Sequence, residues 1–185
     1  MRGLLEGQST RITPMSKSRI ALISTGGTIE KTYDEISGVL HNEVRVLDVM
    51  IDSLQLEGVD IVRIPLLNKD SLEFTDADHK LVAQTTESMS MGHDGIVIVH
   101  GTDTLDRTGD AICALSSQVS VPVVITGAMR PYIMRNTDAL QNLTEALLAV
   151  QLLSPGVYLA IHNKVLPFPG VAKDHDLGTF VQQKP

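Results

Sequence analysis

The chain has 185 residues, of which 43% are apolar and 20% are charged, a composition typical of one globular domain. Its net charge of −7, with no cluster of lysines and arginines, argues against a nucleic-acid partner. No apolar run is long enough to cross a membrane, and the single cysteine, Cys113, excludes an intrachain disulfide.

Residues 1–17 are predicted to form a disordered N-terminal extension, because they are polar and contain Pro14. Met15 is a suitable start for the folded part, which leaves open whether the residues before it are native. One domain is expected over 18–185. The extension has no apolar segment of a secretory signal, and a lone cysteine fits a reducing compartment, so a cytoplasmic location is expected.

Five short apolar runs, most of them rich in β-branched residues, are predicted to be strands buried on both faces. They cover residues 19–24, 59–67, 95–101, 121–127 and 156–162. Helical patterns alternate with them over residues 43–54, 75–89, 105–117 and 136–153. Thr75 is the predicted N-cap of the second helix. One face of the last helix is expected to carry four leucines: Leu140, Leu143, Leu147 and Leu148. The proline- and glycine-rich segment 163–180 is predicted to be irregular.

This alternation predicts an α/β fold: a single three-layer domain with a mostly parallel sheet and helices on both faces. Ligands of such sheets bind beyond the carboxyl ends of the strands. The unusual residues of this sequence follow the first three strands, at 25–28, 68–71 and 100–104. We therefore expect one site at that edge of the sheet.

The turn "STGGT" after the first strand is suited either to a phosphate or to a hydroxyl nucleophile, Thr28. A phosphate-binding loop needs a glycine directly before its Lys-Ser/Thr pair. Here Lys31 and Thr32 follow Glu30, an anion, and the third glycine of a dinucleotide fingerprint is also missing. These features argue against phosphate.

The loop "HGTDT" after the third strand places a hydroxyl, Thr102, beside a carboxylate, Asp103. Asp103 is suited to bind an ammonium group, and Thr102 to bind a carbonyl or position water. Both residues would equally suit the start of the next helix, since Thr and Asp are common helix caps. The loop alone does not decide between these two interpretations.

Taken together, "STGGTI", "HGTDTL" and "PVVITGAMRP" resemble the asparaginase/glutaminase family of amidohydrolases with a threonine nucleophile. The match runs in order from Ile20 to Lys173. The resemblance implies a Rossmann-like or flavodoxin-like domain and hydrolysis of L-asparagine to L-aspartate and ammonia through an acyl-enzyme. It implies neither a cofactor nor a metal ion.

The resemblance also implies roles for individual residues. Thr28 corresponds to the nucleophile, and Tyr33, on the following loop, to the tyrosine that closes over the site. Thr102, Asp103 and Lys173 correspond to a Thr-Lys-Asp set, in which the lysine is suited to accept a proton. Backbone N–H groups of the turn are suited to hold the oxyanion. The substrate-binding residues implied are Gly27, Ser71, Thr102 and Asp103.

Two departures from the family pattern carry expectations of their own. Leu72 follows Ser71 where the family often has a polar residue, so substrate binding is expected to be weaker. The sequence also stops at Pro185, whereas the family usually continues into a second domain that completes a neighbouring subunit's site. It thus resembles either a short form of the family or a fragment, expected to form a homo-oligomer. A non-catalytic amino-acid-binding module is the alternative function.

Other polar residues are predicted to be structural. No two of the six histidines lie three or four residues apart, which argues against a metal site, and His100 is expected to pack or to form a hydrogen bond at its strand end. Cys113 is expected to be a buried, unreactive thiol. The family assigns mainly structural or subunit-contact roles to the stretch that contains Arg130, Arg135 and Asp138.

Overall fold

The computed structural model describes residues 17–43, 45–115 and 119–183. Nearly all of the extension predicted over 1–17 lies outside these residues, as does the predicted end of the third helix at 116–117. None of the helices within the described ranges is both long and apolar enough to span a membrane.

The core of the domain is a six-stranded sheet. Its strands are β1 (Ser18–Gly26), β4 (Val59–Lys69), β5 (Gly95–Val99), β6 (Pro122–Thr126), β7 (Gly156–Ile161) and β8 (Lys164–Pro167). They lie in the order β4-β1-β5-β6-β7-β8; the first five are parallel, and β8 joins the edge antiparallel to β7. The parallel strands follow the flavodoxin-like order, whose ligand site is the point where the chain reverses its direction across the sheet. Here that point lies between β1 and β5.

Within the described ranges, four helices cover the two faces of the sheet, which confirms the predicted three-layer α/β fold. They are α1 (Arg45–Asp52), α2 (Asp76–Ser90), α3 (Leu105–Leu115) and α4 (Ala139–Leu152). α1 and α4 pack on one face, and α2 and α3 on the other. Thr75 caps α2 as predicted, since its hydroxyl accepts from the Asp78 N–H while the Asp78 carboxylate accepts from the Thr75 N–H.

The central strands are apolar without interruption because each of their faces is covered by helices. In β1, Ile20 and Leu22 belong to the core beneath α1 and α4, whereas Ala21 and Ile23 belong to the core beneath α2 and α3. All four side chains are buried. The alternation of a strand's side chains thus fills both cores at once.

One feature predicted for α4 is wrong in part. Leu143 and Leu147 are buried and Leu140 packs against them, but Leu148 is 58% exposed. Leu148 follows Leu147 directly, and one residue turns a helix by about 100°, which moves the side chain off the buried face. The residues that complete the buried face are two alanines, a valine and one asparagine: Ala139, Ala146, Val150 and Asn142.

The prediction of an irregular segment over 163–180 is also wrong. This segment contains β8 and most of an antiparallel hairpin of β9 (Val171–Asp174) and β10 (Thr179–Gln182). A second hairpin, β2 (Lys31–Tyr33) with β3 (Leu40–Asn42), follows the first turn, so Tyr33 lies in a strand rather than in a loop. These strands have three or four residues each and lie outside the two cores for most of their length, so their sequence shows little apolar pattern.

Candidate active site

The turn after β1 is shaped by two glycines. Gly26 and Gly27 have φ angles of +95° and +89°, in the region that favours glycine. A Cβ at Gly26 would lie 2.6 Å from the Lys69 carbonyl oxygen, and one at Gly27 would lie 2.4 Å from the Gly101 Cα. The glycines therefore let the ends of β1, β4 and β5 approach closely, and they present Thr28 at the start of a short 3-10 helix.

Thr28 and Tyr33 lie on either end of the segment that leaves this turn. Thr28 is half-buried, and Tyr33 is 56% exposed. The Tyr33 hydroxyl faces the loop of its own hairpin, where a Cβ at Gly38 would lie 3.9 Å from it. No hydrogen bond joins these two described residues, so the structure does not bring the predicted nucleophile and tyrosine together directly.

Lys173, Thr102 and Asp103 are brought together at the carboxyl end of β5. The Lys173 Nζ donates to the Thr102 Oγ1 at 3.0 Å and to the Asp103 Oδ1 at 2.7 Å. Thr102 is buried, and the Lys173 side chain is mostly buried. The hairpin of β9 and β10 carries Lys173 to this position, which explains why those two short strands matter to the site. A hydroxyl, an amine and a carboxylate thus meet beside the β1 turn.

Ser71 lies beneath the same loop. Its Oγ accepts a hydrogen bond from the Asp103 N–H at 3.3 Å, and its carbonyl accepts from the Thr104 Oγ1 at 2.9 Å. A hydroxyl can accept and donate at the same time, so these contacts leave the Ser71 O–H proton unused, but Ser71 is only 1% exposed. Leu72, the next residue, is 73% exposed and offers a ligand only apolar surface.

An ion pair that the sequence did not predict holds the first hairpin to the second strand-end loop. The Lys31 Nζ lies 2.6 Å from the Asp70 Oδ2, and this hydrogen bond is the main reason that the pKa of Asp70 is below its ordinary value. In the sequence, Lys31 drew attention only as part of a possible phosphate motif. The sequence shows only that Lys31 lies three residues after Thr28 and that Asp70 follows the second predicted strand. It does not show that the two side chains meet.

The other polar residues have structural partners. The His100 Nδ1 donates to the Gly101 carbonyl at 2.8 Å, which is the hydrogen bond at the strand end that the sequence predicted. Asp138 accepts from the backbone N–H groups of Met129 and Arg130 and thereby shapes the loop after β6.

Cys113 is only half-buried, and burial is the main cause that raises its thiol pKa. Across the described part of the chain, no three His, Cys, Asp or Glu side chains are grouped to hold a metal ion.

Comparison with known proteins shows the family and the fold of this chain. Residues 19–179 match the family model of the asparaginase N-terminal domain. L-asparaginase from Thermococcus kodakarensis is 34% identical over 166 residues, which cover 86% of this chain and 49% of that protein. Its solved structure superposes with a TM-score of 0.80 over 89% of this chain and 51% of the solved chain. L-asparaginase I from Vibrio cholerae has a TM-score of 0.74 at 25% identity, over 90% of this chain and 52% of the other.

A second group of relatives consists of amidotransferase subunits. A glutamyl-tRNA(Gln) amidotransferase subunit from Methanobrevibacter smithii is 31% identical over 154 residues, which cover 81% of this chain and 35% of that protein. The chain thus spans about half the length of the asparaginases that it matches and about a third of the amidotransferase protein. Because the family model covers residues 19–179, the chain belongs to the asparaginase family, and it matches that family's N-terminal domain.

Proposed function

We propose that this protein hydrolyses L-asparagine to L-aspartate and ammonia through a covalent acyl-enzyme on Thr28. The observation that supports this most is the contact of the Lys173 Nζ with both Thr102 and Asp103, beside the turn that presents Thr28. A binding module needs no such amine next to a hydroxyl. An L-asparaginase relative at 34% identity points to the same chemistry.

In the first step, the Thr28 Oγ1 attacks the side-chain amide carbon of the substrate. The Gly27 N–H already donates to the Lys69 carbonyl, so other backbone N–H groups of the strand-end loops stabilise the oxyanion. The C–N bond breaks, and ammonia leaves with the proton taken from the threonine. In the second step, water attacks the ester carbon and releases aspartate, which restores the Thr28 hydroxyl. Tyr33 assists the nucleophile when the β2–β3 hairpin closes over the bound substrate.

Lys173 and Asp103 have linked roles in this mechanism. Asp103 pairs with Lys173, and it is also the carboxylate suited to the substrate's α-ammonium. A substrate that binds Asp103 weakens that carboxylate's hold on Lys173. The Lys173 amine then exchanges a proton with Thr102 or with the attacking water, so that substrate binding makes Lys173 available as the base.

Asparagine is proposed to be preferred over glutamine. Asp103 and Ser71 fix the substrate by its α-ammonium and α-carboxylate, and an extra methylene moves the reacting carbon away from Thr28. Such a difference is worth about 1–3 kcal/mol in a fitted pocket. Equal rates on both amides in a competition assay would contradict this preference.

A second candidate function comes from the amidotransferase relative. Its name describes one component of an enzyme that acts on glutamyl-tRNA(Gln), and at 31% identity this chain is similar enough to share its amide chemistry. In that case amide hydrolysis would release ammonia for a partner protein's use. Free turnover would then be slow without the partner and rise when it is added.

An ammonia-release assay with asparagine and glutamine separates these possibilities. Rapid turnover of asparagine by the chain alone supports the asparaginase. Slow turnover by a well-folded protein supports a partner-dependent amidotransferase component, and binding of asparagine with no ammonia release supports the amino-acid-binding module.

A homo-oligomer and a cytoplasmic location are part of the same proposal. Tyr33 and Leu72 stay exposed next to the strand-end loops, and covering the site would strengthen the hydrogen bonds that hold the oxyanion. Another copy of the chain is the simplest cover, because most homo-oligomers are symmetric. Sedimentation at assay concentration tests this, and a fully active monomer would contradict it.

A further inference from the structure

Three buried side chains form a hydrogen-bonded chain that ends at the loop carrying Thr102. His79 on α2 contacts Thr108 on α3, with 2.6 Å between Nδ1 and Oγ1. The same Oγ1 lies 2.8 Å from the His100 Nε2, and the His100 Nδ1 lies 2.8 Å from the Gly101 carbonyl oxygen. None of the three residues is more than 4% exposed. We call these residues the His79–Thr108–His100 chain.

The position of each proton in this chain follows from its last acceptor. A carbonyl oxygen only accepts, so the His100 Nδ1 carries a proton; in the neutral ring, the His100 Nε2 then accepts from Thr108. The single hydroxyl proton of Thr108 is then used, and its oxygen must accept from the His79 Nδ1. Neutral imidazoles, which burial favours by lowering the pKa of both rings, are therefore both protonated at Nδ1. The His79 Nε2 is left as a buried acceptor without a partner among the described residues.

The surroundings favour the neutral rings. Burial lowers the pKa of His100 to about 4, and burial also lowers the pKa of His79, with a further decrease from Arg107. Three carboxylates on α2 and α3 act in the opposite direction on His79: Asp76, Asp78 and Asp106. The Phe74 ring packs against both imidazoles, with centroid distances of 5.4 Å and 4.8 Å. Because both rings stay neutral near pH 7, the donor and the acceptor of each hydrogen bond in the His79–Thr108–His100 chain are fixed at that pH.

Gly101 connects this chain to the candidate site. Its carbonyl belongs to the peptide that joins it to Thr102, and a planar peptide fixes the direction of both its C=O and its N–H. The turn that carries Thr28 packs directly against Gly101, since a Cβ at Gly27 would lie 2.4 Å from the Gly101 Cα. A rotation of the Gly101 peptide would therefore displace both Thr102 and the Thr28 turn.

We propose that His79, Thr108 and His100 are positioning residues that hold the Gly101–Thr102 peptide in its working orientation. They touch no substrate and act only through that peptide. The kinetic consequence of this proposal rests on the proposed function, whereas the proton positions and the loop geometry do not.

Thr108→Val tests the proposal, because it removes both hydrogen bonds with little change in shape. Thr86→Val is the matched control: Thr86 is also fully buried in a helix, but its hydroxyl donates to the Val82 carbonyl. We expect Thr108→Val to lower kcat by about tenfold to a hundredfold, the cost of a misplaced reacting group, with a smaller change in KM. Thr108→Ser, which keeps the hydroxyl, should recover most of the loss. Equal losses of kcat in the two valine variants would overturn the proposal.

Nitrogen-15 spectra of the histidine rings test it without any substrate. His79 and His100, assigned from His79→Gln and His100→Gln, should both be neutral and protonated at Nδ1 at pH 7. The amide resonances of 101–103 should shift in Thr108→Val and stay in place in Thr86→Val. Either ring protonated at Nε2, or unshifted resonances in Thr108→Val, would overturn the proposal. These readouts hold even if the wild-type protein releases no ammonia, an outcome that would refute the proposed function alone.

Discussion

At the residue scale, the segment that follows β1 combines a half-buried hydroxyl with a buried acid. Thr28 and Glu30 belong to the same short 3-10 helix, and Glu30 is only 1% exposed. The Glu30 Oε1 has no hydrogen-bond partner within the described ranges. Burial raises the pKa of Glu30 to about 7, although Arg63 and the Gly26 N–H act to lower it. The two residues therefore lead to separate predictions, one on activity and one on stability.

Thr28→Ala should abolish hydrolysis and leave the fold intact. The proposed mechanism has no other nucleophile, so kcat should fall by about four orders of magnitude or more. The side chain is half-buried and small, so the free energy of unfolding should change by about 0.5 kcal/mol or less. Ammonia release and urea unfolding measure the two effects. Thr144→Ala, on the exposed side of α4, is the control, and near-wild-type activity of Thr28→Ala would refute the assignment.

Glu30→Gln should remove a pH dependence of stability. The folded-state pKa of about 7 lies above the ordinary value of 4.5, so the unfolded chain releases its proton first as the pH rises. Stability is therefore lost between about pH 4.5 and pH 7, by up to about 3 kcal/mol at roughly 1.4 kcal/mol per pKa unit. Glutamine stays neutral and lacks this loss.

The measurement for Glu30 is urea unfolding of the wild type and of Glu30→Gln from pH 5 to pH 8. The variant should gain stability relative to the wild type as the pH rises through this range. Glu57→Gln, which replaces an exposed glutamate, serves as the control. Parallel stability curves for the wild type and Glu30→Gln would show that the Glu30 proton is not retained on folding.

At the element scale, the close approach of the strand ends depends on the β1 turn. Gly27→Ala would put a Cβ against the Gly101 backbone in a conformation with φ of +89°. Strain of this kind costs about 1–3 kcal/mol, and the contact with backbone atoms adds to it. We expect a loss of at least about 2 kcal/mol in the free energy of unfolding and a loss of activity at temperatures where the variant is still folded.

Gly92→Ala is the matched control for this substitution. A Cβ at Gly92 meets no atom within 4 Å, and its φ lies outside the strained region. Alanine at such a position is neutral or stabilises by up to about 1 kcal/mol. Similar unfolding free energies for the two alanine variants would contradict the importance of the close approach at Gly27.

Strands buried on both faces could be predicted from the sequence, whereas short strands at the edge of a core could not. The strands β1, β5, β6 and β7 were predicted to within about two residues, because helices on both faces require continuous apolar runs. The strands β9 and β10 were missed because their burial rests mainly on two side chains, Val171 and Phe180. Prolines and glycines around them suggested a loop. Short strands at the edge of a core carry too few buried positions to give a periodic signal.

At the scale of the whole molecule, the candidate site joins segments that are far apart in the sequence. The Lys173 Nζ contacts Thr102, 71 residues away, and Asp103 contacts Ser71, 32 residues away. Composition and periodicity contain no trace of these contacts, and only the resemblance to a family predicted Lys173. The His79–Thr108–His100 chain was not predicted beyond a hydrogen bond at His100, because its three members have ordinary local sequence contexts.

Because these segments meet only in the folded domain, a ligand of the site should stabilise the whole domain. Thr28→Ala allows the measurement with asparagine, since the variant is expected to bind the substrate without consuming it. A ligand at one hundred times its dissociation constant adds about 2.7 kcal/mol, which corresponds to a rise in Tm of roughly 5 to 10 °C for a domain of this size. The exposed Leu72 offers no polar contact, so the rise in Tm should begin only near millimolar asparagine, where the ligand concentration reaches the expected dissociation constant. Propionamide, which has the amide but neither charged group, should leave the Tm unchanged because Asp103 has nothing to bind. A measurable rise in Tm at low micromolar asparagine would refute loose binding, and an equal shift with propionamide would refute recognition through Asp103.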